Sequence, residues 1–143
     1  FGFPQLILIS LYIYDTLSLV IPLDDTNFND YVLSNTNDIW IIKFYAPWCI
    51  HCKKYKDIFI KLSELYELSN KDIIKFGEVD CQMNTITCDK YNIKGYPTTL
   101  MINNGNKIST YNGLRTNVDK IKSWILKEGK SLLNKHNLMN KKR

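Results

Sequence analysis

The chain has 143 residues, of which 45% are hydrophobic and 23% are charged, and its formal net charge is +5. This length and composition fit one globular domain that buries a core. The basic residues are spread along the chain and form no arginine-rich stripe with interleaved aromatic residues, which argues against a nucleic-acid-binding protein.

The chain begins with an apolar leader over residues 1–19. Residues 6–14 are apolar apart from Ser10, and Asp15 interrupts the run. The run is shorter than the roughly 20 apolar residues that a membrane-spanning helix needs. It suits the hydrophobic region of a secretory signal peptide, and a buried first strand is the alternative. We therefore predict a signal-peptide remnant and no stable membrane span.

The first half of the domain predicts two strands and two helices. A short strand over 21–25 is followed by a helix over 27–35, which Thr26 can cap. A continuous apolar run over 38–46 is typical of a strand that is buried on both faces. The second helix begins at Cys49. Spacings of three and four give this helix one apolar face, made of Cys52, Tyr55, Phe59, Leu62 and Tyr66.

The second half continues with a buried strand over 72–80 and a short helix over 83–91. Two further strands are predicted over 98–103 and 107–112. Asn104-Gly105 lies between them, and this pair is the strongest short signal for a hairpin with a type I′ turn.

The last predicted helix runs from about residue 117 to residue 128, and Gly129 is placed to end it. Its inward face consists of Val118, Ile121, Trp124 and Ile125. The alternation of strands and helices predicts one α/β domain over 20–128. The basic tail over 129–143 is then either an extension of the last helix or a flexible segment.

Four cysteines stand at Cys49, Cys52, Cys81 and Cys88. A helix that begins at Cys49 directs unpaired N–H groups and its dipole at the sulfur, and both favour the thiolate. His51 adds to this effect when it is protonated. Cys52 lies one turn further in and can attack a mixed disulfide formed at Cys49. The Cys-x-His-Cys pair therefore predicts a redox centre.

Two other interpretations of this cysteine pair are weaker. A zinc half-site needs a second ligand pair at a compatible spacing, and neither the other two cysteines nor the two histidines supply one. A purely structural bridge would close a very small loop and gain little from chain entropy. An even number of cysteines behind a signal peptide also indicates an oxidising compartment.

Three stretches resemble a catalytic thioredoxin domain of the protein disulfide isomerase family. They are FYAPWCIHCKKY over 44–55, NIKGYPTTLMI over 92–102 and YNGLRTNVDKIKSWI over 111–125. The resemblance implies a thioredoxin fold, with a central mixed β-sheet flanked by helices on both faces. It also implies thiol–disulfide exchange on polypeptides in the endoplasmic reticulum lumen, with no cofactor beyond the cysteine pair.

The same resemblance implies roles for individual residues. Cys49 is the attacking cysteine, Cys52 is the resolving cysteine, and Pro97 is a cis-proline that faces them. Arg115 is a mobile arginine that tunes Cys52. The alternatives are that Pro97 merely ends a loop and that Arg115 is a plain surface residue.

Two residues depart from the usual pattern of the family. Ile50 stands where glycine is usual and adds an apolar lip beside the reactive sulfur. Lys43 stands where many members carry a buried glutamate that relays protons to the resolving cysteine. A lysine below Cys52 would stabilise its thiolate or, when neutral, accept its proton. The alternative is a core residue whose ammonium snorkels to solvent.

The resemblance is strongest to a subgroup with lysine at this position and a second cysteine pair, which implies a structural disulfide between Cys81 and Cys88. A regulatory pair is the alternative. We predict a monomeric oxidoreductase that acts on folding polypeptides and exchanges electrons with an upstream thiol oxidase or glutathione. The alternatives are a general thioredoxin-type reductase, and a chaperone or adaptor module that holds clients with little catalysis.

Overall fold

The structure, a computed structural model, describes residues 19–69 and 73–143, so the predicted leader lies almost entirely outside the described residues. The strands in this part are β1 (Val20–Leu23), β2 (Ile39–Tyr45), β3 (Ile74–Asp80), β4 (Thr98–Asn103) and β5 (Asn106–Thr110). The helices are α1 (Phe28–Val32), α2 (Ile50–Leu68), α3 (Thr85–Lys90) and α4 (Val118–Lys141).

The five strands form one mixed sheet in the order β1-β3-β2-β4-β5. β3 pairs in parallel with both β1 and β2, whereas β4 pairs antiparallel with β2 and β5. β2 is the central strand, and all its residues except Tyr45 are buried. Its continuous apolar sequence follows from this position, because both of its faces are covered.

Helices cover both faces of the sheet and divide the core into two layers. α2 and α4 pack on one face, where their side chains meet Ile39, Ile41, Phe76 and Met101. α1 and α3 pack on the other face, against Trp40, Ile42, Phe44, Leu100 and Ile102. The alternation of β2 side chains between these two sets is the two-residue period of a strand. The predicted mixed sheet with helices on both faces is confirmed.

The predicted hairpin is also confirmed. Asn104 has φ +48° and Gly105 has φ +75°, which is the left-handed conformation that a type I′ turn requires at both central positions. The hydroxyl of Tyr91, just after α3, donates a hydrogen bond of 2.7 Å to the carbonyl oxygen of Gly105. This contact fixes the turn against the rest of the domain.

The last helix does not end at Gly129, so that prediction is wrong. α4 continues through Gly129, which is buried. A Cβ atom at this glycine would lie 3.7 Å from Ile39 and 3.8 Å from Met101. Leu132 and Leu133 pack against the same core one turn later. Their burial outweighs the roughly 1 kcal/mol that an interior glycine costs a helix.

Thr26 does not cap the first helix, which is also shorter than predicted. The N-cap is Asn27, and its side chain makes no capping hydrogen bond. The Asp24 carboxylate instead accepts hydrogen bonds from the Thr26 hydroxyl at 2.6 Å and from the backbone N–H groups of Thr26 and Asn27, each at 2.8 Å. The helix entry is therefore organised by an aspartate turn that competes with a regular cap.

Cys81 and Cys88 form a disulfide bond with an S–S distance of 2.06 Å. Cys81 directly follows β3 and Cys88 lies within α3, and both are buried. We expect replacement of both cysteines by alanine to lower the free energy of unfolding by about 2.5 kcal/mol, because the open chain gains entropy when unfolded. Denaturant titration of the variant and the wild type measures this difference.

Alkylation of the native protein is the direct control for this prediction. Without reductant, mass spectrometry should find Cys81 and Cys88 protected from a thiol reagent. If a folded sample has both cysteines alkylated, the bridge does not form and the expected loss of stability has no basis.

Candidate active site

Cys49 occupies the N-cap position of α2. Its sulfur accepts a hydrogen bond of 3.2 Å from the backbone N–H of Cys52, one of the groups that a helix start leaves unpaired. Donors and the positive end of the helix dipole at this point stabilise a thiolate on Cys49. The helix start was predicted from the sequence, and the structure places it there.

The Tyr96–Pro97 peptide bond is cis, and the Tyr96 side of this bond lies next to Cys49. The Cys49 thiol donates a weak hydrogen bond to the Tyr96 carbonyl oxygen at 3.6 Å. Beside it, the rings of Trp48 and Tyr96 meet edge to face at 6.0 Å, and Trp48 is 65% exposed. The loop before β4 therefore forms one wall of an open cleft around Cys49.

Cys52 is buried within the first turn of α2, with 4% of its surface exposed. Burial is the main cause that raises the pKa of its thiol to about 11, and the hydrogen bond with Cys49 acts in the same direction. The charge of Lys43 acts against this rise. At neutral pH Cys52 is therefore a thiol that has to lose its proton before it can attack.

Lys43 lies on β2 and does not reach open solvent, since its side chain is only 4% exposed. Its Nζ is 2.8 Å from a carboxylate oxygen of Glu78, the residue directly opposite it on β3. It also lies 5.3 Å from the ring centre of Tyr45 and 5.2 Å from that of Phe59. The ammonium is thus paired inside the protein, and the snorkelling alternative is wrong.

A cavity of about 190 Å³ connects this ion pair to the resolving cysteine. Lys43, Glu78 and Cys52 all line it. Glu78 is 27% exposed, so its carboxylate lies between the buried ammonium and solvent. The cavity therefore offers a short route for a proton between Cys52 and water.

A second cavity, of about 330 Å³, lies on the other side of the cysteine pair. His51, Lys54 and Arg115 line it together with Pro97. Arg115 lines this cavity and not the one beside Cys52. The structure therefore groups Arg115 with His51 and the cis-proline, and it does not show a contact between Arg115 and Cys52.

The described residues contain neither a candidate metal site nor a candidate membrane span. No group of three or more histidine, cysteine, aspartate or glutamate side chains in 19–69 and 73–143 is arranged to hold a metal ion. Among the helices of the same ranges, none is both long enough and apolar enough to cross a membrane.

Comparison with known proteins identifies the family of the chain, because the thioredoxin family model matches residues 19–127. The chain belongs to the thioredoxin family. It is 34% identical over 122 residues to protein disulfide-isomerase 5-1 of Arabidopsis thaliana, covering 85% of this chain and 81% of that protein. Together, these similarities identify a thioredoxin domain of the protein disulfide isomerase type, an oxidoreductase.

Other relatives are much longer than this thioredoxin domain. Human protein disulfide-isomerase A6 is 34% identical over 100 residues, which cover 70% of this chain and 22% of that protein. The crystal structure of human ERp44 aligns with a TM-score of 0.68 and 29% identity, covering 78% of this chain and 30% of that one. The domain thus corresponds to most of one relative and to a minor part of others.

Sequence reasoning did not identify Glu78 as a site residue of the thioredoxin domain. A signal was present, because Lys43 and Glu78 each stand two residues before the end of a buried strand. Neighbouring parallel strands that end together place such residues side by side. The ion pair could be predicted only by assuming the strand register, which the sequence by itself does not define.

Proposed function

We propose that this domain oxidises and isomerises disulfides in folding polypeptides, in the endoplasmic reticulum lumen or the secretory pathway. The observation that supports this most is the position of the Cys49 sulfur. It lies at a helix start, 3.2 Å from the Cys52 N–H and 3.6 Å from the carbonyl oxygen that precedes a cis-proline, in an open cleft. Cys49 is only 7% exposed, but it lines an open cleft of about 500 Å³ through which a client can reach it. The helix start stabilises its sulfur as a leaving group.

In the oxidising direction, a client thiolate attacks the Cys49 sulfur of the Cys49–Cys52 disulfide. The bond between the two cysteines breaks, and Cys52 leaves as a thiolate that takes up a proton. A second client thiolate then attacks the client sulfur of the mixed disulfide, and Cys49 leaves as a thiolate. The client has lost two electrons to the cysteine pair, which has become a dithiol.

A thiol oxidase or oxidised glutathione would then return the pair to the disulfide. The pair is the only redox group that this reaction needs. In isomerisation the reduced pair first attacks a client disulfide, and a different client cysteine later displaces Cys49. We propose that the domain works as a monomer, because each of these steps uses only residues of one chain.

The ion pair beside Cys52 serves proton transfer in this proposal. Attack by Cys52 on a mixed disulfide requires its thiolate, which burial disfavours because it raises the pKa of the thiol. The charge of Lys43 stabilises that thiolate, and the partly exposed Glu78 exchanges the proton with water through the shared cavity. Lys43 and Glu78 are therefore positioning residues for Cys52, with Glu78 as the outlet to solvent.

We expect the cysteine pair to be an oxidant, with a reduction potential near that of protein disulfide isomerase, about −180 mV, and not near that of thioredoxin, about −270 mV. The helix start stabilises the reduced form as a Cys49 thiolate, and His51 adds to this when it carries a proton, so the disulfide becomes easier to reduce. His51→Pro should shift the potential toward the reducing end, because it removes an imidazole that can carry a positive charge beside that thiolate. Equilibration with glutathione buffers measures both potentials.

His136→Gln is a control for the His51 variant, because His136 lies far along α4 and its loss should leave the potential unchanged. A wild-type potential at or below the thioredoxin value would instead favour the reductase alternative. Turnover with a reduced, unfolded client separates catalysis from the chaperone or adaptor alternative, in which clients are held but not oxidised.

A further inference from the structure

The cavity lined by His51, Lys54 and Arg115 carries an unbalanced positive charge. Three of its lining residues are basic or can become cationic, and no aspartate or glutamate is among those lining residues. The cavity on the Cys52 side differs, because Glu78 there balances Lys43 directly. Only the His51 side of the cysteine pair therefore has a basic surface without a carboxylate of its own.

Arg115 provides a second, independent observation. Its Nε is buried and has no hydrogen-bond partner among the residues that the structure describes. A buried guanidinium N–H without an acceptor is costly, and a carboxylate is the acceptor that fits the guanidinium fork best. Arg115 therefore lines the cavity with one guanidinium N–H unpaired.

The cavity also adjoins the cleft around Cys49. It shares His51 and Tyr96 with the cleft around Cys49, and the cis-proline forms part of its wall. A thiol substrate joined to Cys49 would therefore place groups near its own cysteine over this basic surface. Lys54 faces the same cavity from the next turn of α2.

We propose that this cavity binds a carboxylate of the thiol substrate, so that the domain prefers cysteines with a carboxylate close by. Two sources supply this chemistry: an aspartate or glutamate beside the cysteine of a polypeptide, and the free carboxylates of glutathione. The inference rests on the proposed thiol–disulfide exchange. It adds a preference for substrates with a carboxylate near the thiol, which thiol–disulfide exchange by itself does not require.

The test measures the rate at which the oxidised wild-type domain reacts with each of two cysteine peptides. One peptide has glutamate next to the cysteine, and the other has glutamine at the same position. A parallel arm compares glutathione with its diethyl ester, in which both carboxylates are blocked. We expect the carboxylate form to react about threefold to tenfold faster, once the rates are corrected for the thiolate fraction of each substrate. A preference for the carboxylate form in either arm or in both supports the inference. The arm that shows the preference identifies the source of the carboxylate, a polypeptide side chain or glutathione.

Variants locate the effect in the cavity. Lys54→Gln and Arg115→Gln should each reduce the ratio of acidic to neutral rates toward one, whatever they do to the absolute rates. Lys61→Gln removes the same charge from an exposed position further along α2 and should leave the ratio unchanged. Raising the salt concentration to about 1 M should also reduce the ratio, because the screening length falls to about 3 Å.

Equal rates for acidic and neutral substrates in both arms would overturn the inference while leaving the proposed function intact. A preference that Lys54→Gln and Arg115→Gln do not change, or that Lys61→Gln reduces as much, would also overturn it, since the cavity would not be its origin. If no substrate exchanges with the wild-type domain, the proposed function fails, and the inference fails with it.

Discussion

Cys52→Ser should convert the domain from a catalyst into a trap that holds clients as mixed disulfides on Cys49. The Cys49 sulfur keeps its position at the start of α2 and its place in the open cleft, so the reduced variant can still attack a client disulfide. The second thiol, which releases the client by attacking Cys49, is missing. Non-reducing electrophoresis and mass spectrometry of the variant incubated with a disulfide-containing client detect the trapped species.

Cys49→Ser is the matched variant and should abolish exchange altogether. The remaining thiol, Cys52, is only 4% exposed, and burial keeps its pKa raised, so it stays protonated at pH 7. Cys81 and Cys88 are joined to each other and cannot replace it. Mixed disulfides on Cys52 of the Cys49→Ser variant, at rates similar to those of the Cys52→Ser variant, would contradict the assigned order of attack.

Lys43→Met should slow the release of clients from Cys49 by about threefold to tenfold at pH 7. Lys43 holds the Cys52 pKa down, so the variant raises it above its value of about 11 and lowers the thiolate fraction further. In the wild type the release rate should increase with pH as Cys52 loses its proton, and in the variant the increase should occur at higher pH. Stopped-flow measurement of client release across this pH range gives both profiles.

Glu78→Gln should stabilise the Cys52 thiolate, because it leaves the positive charge of Lys43 without its counterion. It should also slow the loss of the Cys52 proton, because it removes the carboxylate that passes this proton to water. It should also destabilise the fold by about 1–3 kcal/mol, since the Lys43 side chain is only 4% exposed. This cost is below that of a fully buried pair because Glu78 is 27% exposed. The exchanged double variant, Lys43→Glu with Glu78→Lys, should recover most of the stability. Additive losses in that double variant, together with an unchanged pH profile in Lys43→Met, would show that the pair does not act on Cys52.

The fold could be predicted from the sequence wherever one local signal dominated. The apolar run of β2 allows few structures other than a central strand, and Asn104-Gly105 specifies its own turn. The predicted end of the last helix at Gly129 was wrong because it rested on the residue type alone and not on what surrounds the glycine in the fold. Its backbone lies against Ile39 and Met101, residues distant in sequence, and only the folded arrangement reveals why the helix continues there.

In the candidate site too, the features set by nearby residues could be predicted and those set by contacts between distant elements could not. The position of Cys49 at a helix start follows from residues close to it in sequence, and so does the environment that the helix gives to Cys52. The partner of Lys43 depends on the register between β2 and β3, and the neighbours of Arg115 depend on how the loop before α4 approaches α2. Contacts between elements that are far apart in sequence therefore supplied what the sequence could not.

The uninterrupted course of α4 has a consequence for anything joined to the C-terminus. The helix is anchored on the core as far as Leu133, and the residues from 134 to 141 extend it by about 12 Å. A fusion partner or a neighbouring module attached there would be joined to the domain by a continuous helix and not by a flexible linker. The length of the helix would set the distance and direction of this module from the Cys49 cleft. Inserting one residue into the helix would therefore rotate the module by about 100° about the helix axis.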